Sequence, residues 1–322
     1  MKPVLIDCDP GIDDAVAILF ALGSGQLDVR AITTVSGNLT ADRCSANARQ
    51  VLDLGGAPPI AVARGPQKPL VRPYPRDPFS HGSDGLAELN LPPSQRAEDP
   101  RFGPDLILET ANAHAGELTL LALGPLTNIA LALIKDPSLP AKVRELIVLG
   151  GAFGFGAGGS QRATGDNPAS EWNIYVDPEA AQLVFGAGFR LTAIGLDVAT
   201  HPSIELAPAH RRTLRRSGTP AAGFLLGVVD FVERRGFRSY CGLIDALAVA
   251  AAIDPAVVAC EDVRVAVETQ SAIALGQTLV DRRDHFRWQH LPTIAAASTV
   301  DADRFFELLL PALCAPAAAA GA

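Results

Sequence analysis

The stretch Val4-Leu5-Ile6-Asp7-Cys8-Asp9-Pro10-Gly11-Ile12-Asp13-Asp14-Ala15 decides the fold, and it continues as an apolar segment through Phe20. Its first residues predict a buried strand, along which Asp7 and Asp9 project to one face because side chains alternate in an extended chain. A turn at Pro10-Gly11 separates this strand from a predicted apolar helix over residues 15–22. This first unit is therefore a strand, a turn and a helix, with acidic residues at the junction.

Four carboxylates lie within eight residues in this unit, and no Lys or Arg occurs between Lys2 and Arg30. Any one of these aspartates could simply cap the helix or end the strand, but the whole set would repel one another and have raised pKa values without a positive charge. Aspartate oxygens, with no His-x-His or Cys-x-x-Cys motif nearby, favour a hard cation such as Ca²⁺ or Mg²⁺ over zinc. The junction is therefore predicted to bind a divalent metal.

Composition and charge restrict the possible function classes. The 322 residues are 48% hydrophobic and carry a formal net charge of −8, which argues against a nucleic-acid partner because such proteins need a basic stripe. Five cysteines without metal or redox spacing predict free thiols and hence a cytoplasmic protein. No apolar run reaches the roughly 18 to 20 residues of a membrane span, so no membrane partner is expected. A small neutral substrate fits these properties.

Hydrophobic segments alternate with helix-like segments along the chain. Strands are predicted at residues 29–35, 60–63, 118–123, 145–149, 190–195, 263–267 and 278–280, and helices at residues 41–54, 105–115, 204–236 and 302–310. This alternation predicts an α/β fold with a mostly parallel, open, Rossmann-like sheet flanked by helices, in which ligands bind beyond the carboxyl ends of the strands. We expect a single domain over residues 1–314 and a disordered low-complexity tail over residues 315–322.

Two irregular segments are candidates for functional loops. Residues 150–165 are glycine-rich and contain Gly154-Phe155-Gly156-Ala157-Gly158-Gly159, which matches G-x-G-x-x-G. A dinucleotide site is rejected, because that motif needs a helix directly after the glycines and an acidic residue about 20 positions later. A mobile flap over a site is the better interpretation. The long irregular segment at residues 64–101 also predicts a functional loop, and it contains His81.

Four motifs give the chain a family resemblance. They are Asp9-Pro10-Gly11-Ile12-Asp13-Asp14-Ala15, Ile32-Thr33-Thr34-Val35-Ser36-Gly37-Asn38, Leu123-Gly124-Pro125-Leu126-Thr127-Asn128-Ile129-Ala130 and Glu171-Trp172-Asn173-Ile174. In this order, and over nearly the full length, the chain resembles the inosine-uridine-preferring nucleoside hydrolase family. The resemblance implies calcium-dependent hydrolysis of the N-glycosidic bond of ribonucleosides to free base and ribose, by water activated at the metal. It also implies a homodimer or homotetramer.

The resemblance further implies a role for each matching residue. Asp9, Asp14, the Leu123 carbonyl and Asp245 would bind Ca²⁺, which also holds the ribose 2′- and 3′-hydroxyls in this family. Asp9 would be the general base, and Asn38 is a further expected catalytic residue. His81 is also expected to be catalytic, not from the resemblance but as a nearby candidate acid. Contacts to ribose or water are expected from Asp13, Asp14, Asn38, Asn167, Glu171, Asn173 and Asp245, with Asp7 supporting them.

One departure from the family pattern concerns the leaving base. Many members have a His directly before the last aspartate, where it helps to protonate the base, but this chain has Ile244. An aliphatic side chain cannot donate a proton. His81, Tyr240 and Cys241 are the candidates for a substitute acid, or the enzyme relies on base stacking and on bases that leave readily.

A second departure concerns the sugar. Before the Glu171 motif the family usually has an Asn that binds the ribose 5′-hydroxyl, and a gapless match places Gly165 there. Asp166 and Asn167 are adjacent, so the residue that binds the 5′-hydroxyl is left open by the sequence.

Two alternative functions are compatible with parts of the sequence. A nucleoside-binding protein that has lost catalysis is favoured by Ile244, and it would bind nucleosides without turnover. A haloacid-dehalogenase phosphatase also has Asp-x-Asp after its first strand, and residues 165–171 faintly resemble its later acidic motif. The doubled Asp13-Asp14 and the immediate apolar helix fit that family poorly.

Overall fold

The computed structural model describes residues 1–77, 79–155 and 163–316, and its centre is a nine-stranded sheet. The strands are β1 (Lys2–Cys8), β2 (Leu27–Thr34), β3 (Ala61–Arg64), β4 (Thr119–Ala122), β5 (Glu145–Leu149), β6 (Leu191–Ile194), β7 (Val258–Val267), β8 (Thr278–Asp281) and β9 (Thr293–Val300). Their order across the sheet is β3-β2-β1-β4-β5-β6-β9-β7-β8. Pairs from β3 to β9 are parallel, whereas β7 is antiparallel to β9 and to β8. The predicted α/β fold with a mostly parallel sheet is confirmed.

Helices connect the strands in the described residues. They are α1 (Ile12–Gly23), α2 (Ala41–Leu54), α3 (Gly103–Ala113), α4 (Thr127–Lys135), α5 (Leu139–Lys142), α6 (Trp172–Val176), α7 (Pro178–Phe185), α8 (Leu196–Ala199), α9 (Pro208–Ser217), α10 (Pro220–Arg234), α11 (Ala246–Ile253) and α12 (Ala302–Cys314). The single helix predicted over residues 204–236 is wrong. Gly218 has a φ of +64° and ends α9, and the Thr219 hydroxyl then caps α10 by accepting a hydrogen bond from the Ala222 backbone N at 3.2 Å.

Side chains alternate along β1 and build a hydrophobic core on each face of the sheet. Val4, Ile6 and Cys8 belong to a buried cluster with α1, α10, α11 and α12, whereas Leu5 belongs to a second cluster with α3, α4 and α7. Helices therefore cover both faces, as predicted. The α1 helix is buried along residues 12–21 because α2, α11 and α12 pack against it, which holds its acidic amino-terminal end at the edge of the sheet.

The β9 end of the sheet differs from the sequence prediction. No strand is predicted at Thr293–Val300, because three consecutive alanines at residues 295–297 carry little strand signal. In the structure this segment pairs in parallel with β6 and antiparallel with β7, and so completes the sheet.

No helix of the described residues has the length and apolar character needed to cross a membrane. The predicted flap includes residues 156–162 and the predicted tail includes residues 317–322, and both of these ranges lie outside the described residues. The domain bounds of 1–314 stay a prediction.

Candidate active site

A cavity of about 340 Å³ lies at the carboxyl ends of the central parallel strands. It is lined by Asp13 after β1, Asn38 after β2, Leu123 after β4 and Leu149 at the end of β5. Its volume is in the range of small-molecule sites. The cavity thus lies where ligands are expected to bind in such a fold, beyond the carboxyl ends of the strands.

Asp14 fixes the turn between β1 and α1. Its Oδ1 accepts a hydrogen bond from the Asp9 backbone N at 3.2 Å, and its Oδ2 accepts one from the Gly11 backbone N at 3.0 Å. The Asn38 side-chain amide also donates to Oδ2, at 3.2 Å. Unpaired backbone N–H groups at a helix start favour a carboxylate, so the same residue shapes the turn and contributes an anionic group to the site.

Asp9 is fully buried and tightly enclosed by two glycine turns. Its Oδ2 accepts a hydrogen bond from the Asn38 backbone N at 2.5 Å, and its Oδ1 has no partner among the described residues. A Cβ at Gly37 would lie 2.0 Å from Asp9 Oδ2, and one at Gly124 would lie 2.6 Å from Oδ1. Glycine is therefore required at both positions to leave room for this carboxylate.

Three carboxylates converge beside the cavity. Asp13, Asp14 and Asp245 each place an oxygen within 4.8 Å of the others, although Asp245 lies more than two hundred residues further along the chain. Asp245 immediately precedes α11, and Asp13 Oδ1 has no hydrogen-bond partner among the described residues. We call Asp9, Asp13, Asp14 and Asp245 the acidic floor. The predicted ligands Asp14 and Asp245 are thus brought together, and Asp13 rather than Asp9 completes this group of three.

Burial raises the pKa values of the four carboxyl groups of the acidic floor. Desolvation, and then the neighbouring carboxylates, raise the pKa values of Asp9, Asp13 and Asp245 well above the usual range. Burial also raises the pKa of Asp14, to about 6. No Lys or Arg of the described residues forms a salt bridge with the floor, and the nearest ring nitrogen, His81 Nδ1, is 3.8 Å from Asp13 Oδ1. The charge of this floor is therefore balanced by protons or by a bound cation.

Asp7 lies behind the floor. Its Oδ1 accepts hydrogen bonds from the Thr33 hydroxyl at 2.6 Å and from the Asn128 side-chain amide at 2.7 Å. Burial raises the pKa of Asp7 to about 7. These bonds join the end of β1 to β2 and to the Gly-Pro-Leu-Thr-Asn turn, and the supporting role of Asp7 stays a prediction.

Glu171 and Asn173 join the ends of β4 and β5 to α6. Glu171 Oε1 accepts a hydrogen bond from the Asn173 backbone N at 2.8 Å, and Oε2 accepts one from the Gly151 backbone N at 3.2 Å. Burial raises the pKa of Glu171 to about 7. The Asn173 side-chain amide donates to the carbonyls of Leu123, at 2.7 Å, and Leu149, at 3.2 Å. Both side chains line the cavity, and the Asn173 amide fixes the Leu123 carbonyl predicted as a metal ligand.

His81 reaches the cavity from the long irregular segment. Its Nδ1 accepts a hydrogen bond from the Ile12 backbone N at 3.1 Å, which assigns the ring proton to Nε2. Burial lowers the pKa of His81 to about 4. The imidazole is therefore neutral near pH 7, and it can offer its Nε2–H as a hydrogen-bond donor.

Comparison with known proteins identifies the family to which this site belongs. The sequence model described as inosine-uridine preferring nucleoside hydrolase matches residues 4–307. The chain belongs to the inosine-uridine preferring nucleoside hydrolase family. It is 37% identical to a relative of that name from Leishmania major, over 97% of each chain, and 36% identical to the pyrimidine-specific ribonucleoside hydrolase RihA from Citrobacter koseri, over 95% and 96%.

Solved structures agree with this assignment. A plant nucleoside hydrolase, PpNRh1, is similar to this chain with a TM-score of 0.85 and 34% identity, over 98% of this chain and 99% of the other. The purine-preferring ribonucleoside hydrolase from Gardnerella vaginalis has a TM-score of 0.83 and 28% identity, over 97% and 98%. The resemblance inferred from the four motifs is confirmed. The family match also leaves the phosphatase alternative without support.

Three residues predicted for this nucleoside hydrolase site are absent from the cavity lining: Asp9 and Asp14, which are fully buried at the junction of β1 and α1, and Asn167. The Asn167 side-chain amide donates to the Leu275 carbonyl at 2.9 Å, and its Oδ1 accepts a hydrogen bond from the Ala169 backbone N at 2.9 Å. Asn167 is used in these loop contacts and is absent from the cavity lining. Ala163, Thr164 and Trp172 line the cavity in this region instead.

An apolar wall lines the hydrolase cavity on the side of α10 and α11. We define it as Val232, Phe237, Tyr240, Cys241 and Ile244, which come from α10 and from the segment that leads to α11. Tyr240, Cys241 and Ile244 pack against the core that contains α1. Val232, Phe237 and Trp172 are cavity residues that sequence reasoning misses, because apolar and aromatic side chains at these positions are indistinguishable from core.

Proposed function

We propose that this hydrolase cleaves the N-glycosidic bond of ribonucleosides to free base and ribose, that it depends on Ca²⁺, and that Asp9 is the general base. Membership of the nucleoside hydrolase family supports the class of reaction. One structural observation carries the calcium proposal: buried carboxylates converge on one point without a Lys or Arg salt bridge among the described residues.

The residues of the floor fit a hard divalent cation. Asp14, Asp245, Asp9 and the Leu123 carbonyl would hold it, and Asp13 lies close enough to take part. All of these donors are oxygens, which suits Ca²⁺. The unpartnered Oδ1 atoms of Asp9 and Asp13 are buried acceptors that a cation or the substrate would satisfy. When bound, Ca²⁺ supplies positive charge that keeps the carboxylates ionised and promotes ionisation of water.

The residues of the floor then perform distinct tasks. Asp9 takes a proton from the attacking water, because its Oδ2 is fixed by the Asn38 backbone N while its Oδ1 is unpaired among the described residues. Cleavage of a ribosyl bond passes through an oxocarbenium-like sugar, by analogy with glycosidases. The negative charge of the floor stabilises that developing positive charge. Asp13, Glu171 and Asn173 line the cavity where ribose hydroxyls would bind.

The side chains that could assist the leaving base differ from the His found in many family members. His81 is neutral and offers Nε2–H as a donor to the departing base, and Ile244 offers no proton. We therefore propose that departure relies on hydrogen bonding from His81 and on contact with the apolar wall, with Tyr240 and Cys241 as further candidate donors.

A panel of purine and pyrimidine ribonucleosides tests this function. Free ribose is measured with the protein alone, with a strong calcium chelator, and after Ca²⁺ is added back. We expect ribose from at least one nucleoside, loss of turnover in chelator, and recovery with Ca²⁺. Absence of ribose from every nucleoside would contradict the hydrolase proposal, and full turnover in chelator would contradict the calcium proposal.

A second candidate function is nucleoside binding without turnover, which the aliphatic Ile244 favours. The same panel separates it from hydrolysis when binding is measured by calorimetry. Tight binding with no ribose release would support the binding protein. Release of ribose at a rate proportional to protein concentration would exclude it.

We also propose a homodimer or homotetramer in the cytoplasm. The location rests on the five cysteines, all of which are free thiols in the structure. Light scattering of the purified protein tests the oligomeric state, and a monomer mass would contradict it.

A further inference from the structure

Residues 81–90, which we call the His81 loop, are folded around the carboxylate of Asp84. Asp84 Oδ1 accepts hydrogen bonds from the Leu86 backbone N at 2.8 Å and the Glu88 backbone N at 2.9 Å, and its Oδ2 accepts one from the Asn90 backbone N at 3.1 Å. These N–H groups belong to a segment that is part of no strand or helix of the described residues. One side chain therefore supplies the acceptors that secondary structure would otherwise supply.

The His81 loop has a backbone conformation that needs such contacts. Three of the four non-glycine residues with positive φ in the described part of the chain lie in it, namely Ala87 at +61°, Glu88 at +58° and Asn90 at +51°. Left-handed backbone is unfavourable for residues with a Cβ and persists where surrounding contacts enforce it. The Asp84 carboxylate bonds to two of these three residues, so its loss should release the loop from this conformation.

The fixed loop brings His81 to the start of α1. The Ala87 backbone N donates to the His81 carbonyl at 3.0 Å, and Leu86 and Ala87 are buried in the core that contains α1. The imidazole Nδ1 accepts the hydrogen bond from the Ile12 backbone N at 3.1 Å, and the ring lines the cavity. Both the backbone and the ring of His81 are thus held, and the Nε2–H is the donor that the ring can offer to a ligand.

Asn47, on α2, ties the same loop to the turn that carries the acidic floor. Its buried side-chain amide donates to the Asp84 carbonyl at 3.1 Å and to the Pro10 carbonyl at 3.0 Å. Pro10 directly follows Asp9 in that turn. The position of His81 relative to the floor is therefore set through Asp84 and Asn47, and neither of these two residues lines the cavity.

We propose that Asp84 is the positioning residue for His81, because it folds the loop that places the imidazole at the cavity, and that it acts on catalysis through that ring. The inference rests on the proposed function, in which His81 donates a hydrogen bond to the departing base. Since the ring then assists the transition state, loss of Asp84 should lower kcat and leave KM nearly unchanged.

A double-mutant cycle tests whether Asp84 acts through His81. Ribose release from inosine and uridine is measured for wild type, Asp84→Ala, His81→Ala and the double variant. We expect Asp84→Ala to lower kcat about 3- to 10-fold in the wild-type background, as for one lost hydrogen bond, and less than about twofold in the His81→Ala background. Equal losses in both backgrounds would overturn the proposal, because they would show a structural role that does not involve His81.

Asp136→Ala is the matched control for the cycle. Asp136 also accepts a hydrogen bond from a backbone N in a turn, that of Ser138 at 3.0 Å, and it does not line the cavity. Its replacement should leave kcat unchanged in both backgrounds.

The ring nitrogen signals of His81 test the same inference without turnover. They are recorded by NMR on protein labelled with ¹⁵N-histidine, and the His81 signals are those that His81→Ala lacks. Wild type should show a neutral ring with its proton on Nε2, because Nδ1 accepts a hydrogen bond. Asp84→Ala should shift these signals toward those of a solvated imidazole.

Asp84→Asn keeps the NMR test available if Asp84→Ala folds poorly. It should shift the His81 signals in the same direction but less, because an amide can accept at only one of the two oxygen positions. Unchanged His81 signals in Asp84→Asn would contradict the proposal. Failure of the proposed function is distinguishable, because it would appear as absence of ribose from the wild-type protein while the histidine signals still report the position of the ring.

Discussion

The acidic floor and the apolar wall face the same cavity but are built in opposite ways. On the floor, Asp9 and Asp14 are held by several backbone N–H groups, and glycines at positions 37 and 124 leave space for Asp9. The wall consists of side chains that pack on a core, and Phe237 is half-exposed there. Asp9 and Asp14 of the floor are therefore fixed by hydrogen bonds, whereas the wall is fixed mainly by packing.

We infer from this difference that the acidic floor carries out the chemical step and that the apolar wall determines which base is preferred. The floor tolerates little change, because the carboxylates of Asp9 and Asp14 are both hydrogen-bonded to the turns around them and both contact Asn38. An apolar wall can exchange side chains of similar volume with modest cost. We expect changes on the floor to affect all nucleosides alike and changes on the wall to affect the choice of base.

The largest effect is expected at Asp9. Asp9→Asn should lower kcat by more than about a thousandfold for every nucleoside, because the general base and a metal ligand are lost together. Steady-state ribose release measures this, with Asp28→Asn as the control because Asp28 is a partly exposed aspartate on β2. A loss of less than about tenfold would show that Asp9 is not the base.

A smaller effect is expected at the other end of the floor. Asp245→Asn should weaken Ca²⁺ binding roughly 100-fold, because one charged ligand is replaced by a neutral one. Calorimetric titration with Ca²⁺ measures this, and added Ca²⁺ should restore turnover. Asp254→Asn at the carboxyl end of the same helix, α11, is the matched control. Unchanged calcium affinity in Asp245→Asn would remove Asp245 from the ligand set.

A substitution in the apolar wall should change the preference between bases. Ile244→His should raise kcat/KM for inosine relative to uridine by about 3- to 10-fold, because a hydrogen bond at N7 stabilises a departing purine. Ile134→His, on the exposed side of α4, is the control. If inosine and uridine change by the same factor, Ile244 does not face the base.

The smallest expected effect is the pH dependence of the stability of the metal-free protein. Burial raises the pKa values of Asp7 and Glu171 to about 7 and of Asp14 to about 6, whereas the same groups in the unfolded chain titrate near pH 4. The folded protein thus keeps protons that the unfolded chain has released, so the free energy of unfolding falls as pH rises from about 4 to about 7. His81 opposes this below about pH 6.5, because burial lowers its pKa to about 4.

Thermal unfolding in chelator between pH 5 and pH 8 checks this expectation. The metal-free protein should show a Tm that is several degrees lower at pH 8 than at pH 6. Calcium-saturated protein is the control, and its Tm should depend less on pH because the cation holds the carboxylates ionised. A Tm in chelator that rises over this range would contradict the assignment of raised pKa values.

Much of the floor and of the fold follows from local sequence. The apolar strand before Asp7, the turn and the helix are all readable from residues 4–22, and the helix predicted over residues 41–54 has the observed bounds Ala41–Leu54. Local signals suffice here because the turn and the caps are made by neighbouring residues.

Other features depend on contacts between distant segments and escape local reasoning. The final helix continues past Leu310 to Cys314 with Pro311 inside it, because its apolar face packs against α1 and α11. Asn167 is polar and adjacent in sequence to the expected position, yet the Leu275 carbonyl accepts its amide. In the apolar wall, Tyr240, Cys241 and Ile244 are expected near the leaving base, but nothing in the residue types of Val232 and Phe237 distinguishes a cavity surface from a core.

The most direct test of the division between floor and wall is the ratio of kcat/KM for inosine and uridine in Asp9→Asn and Ile244→His, measured side by side by ribose release. We expect Asp9→Asn to lower both values by more than about a thousandfold and leave their ratio unchanged, and Ile244→His to shift the ratio while turnover is retained. A changed ratio in Asp9→Asn with turnover near that of wild type, or equal loss of both activities in Ile244→His, would contradict it.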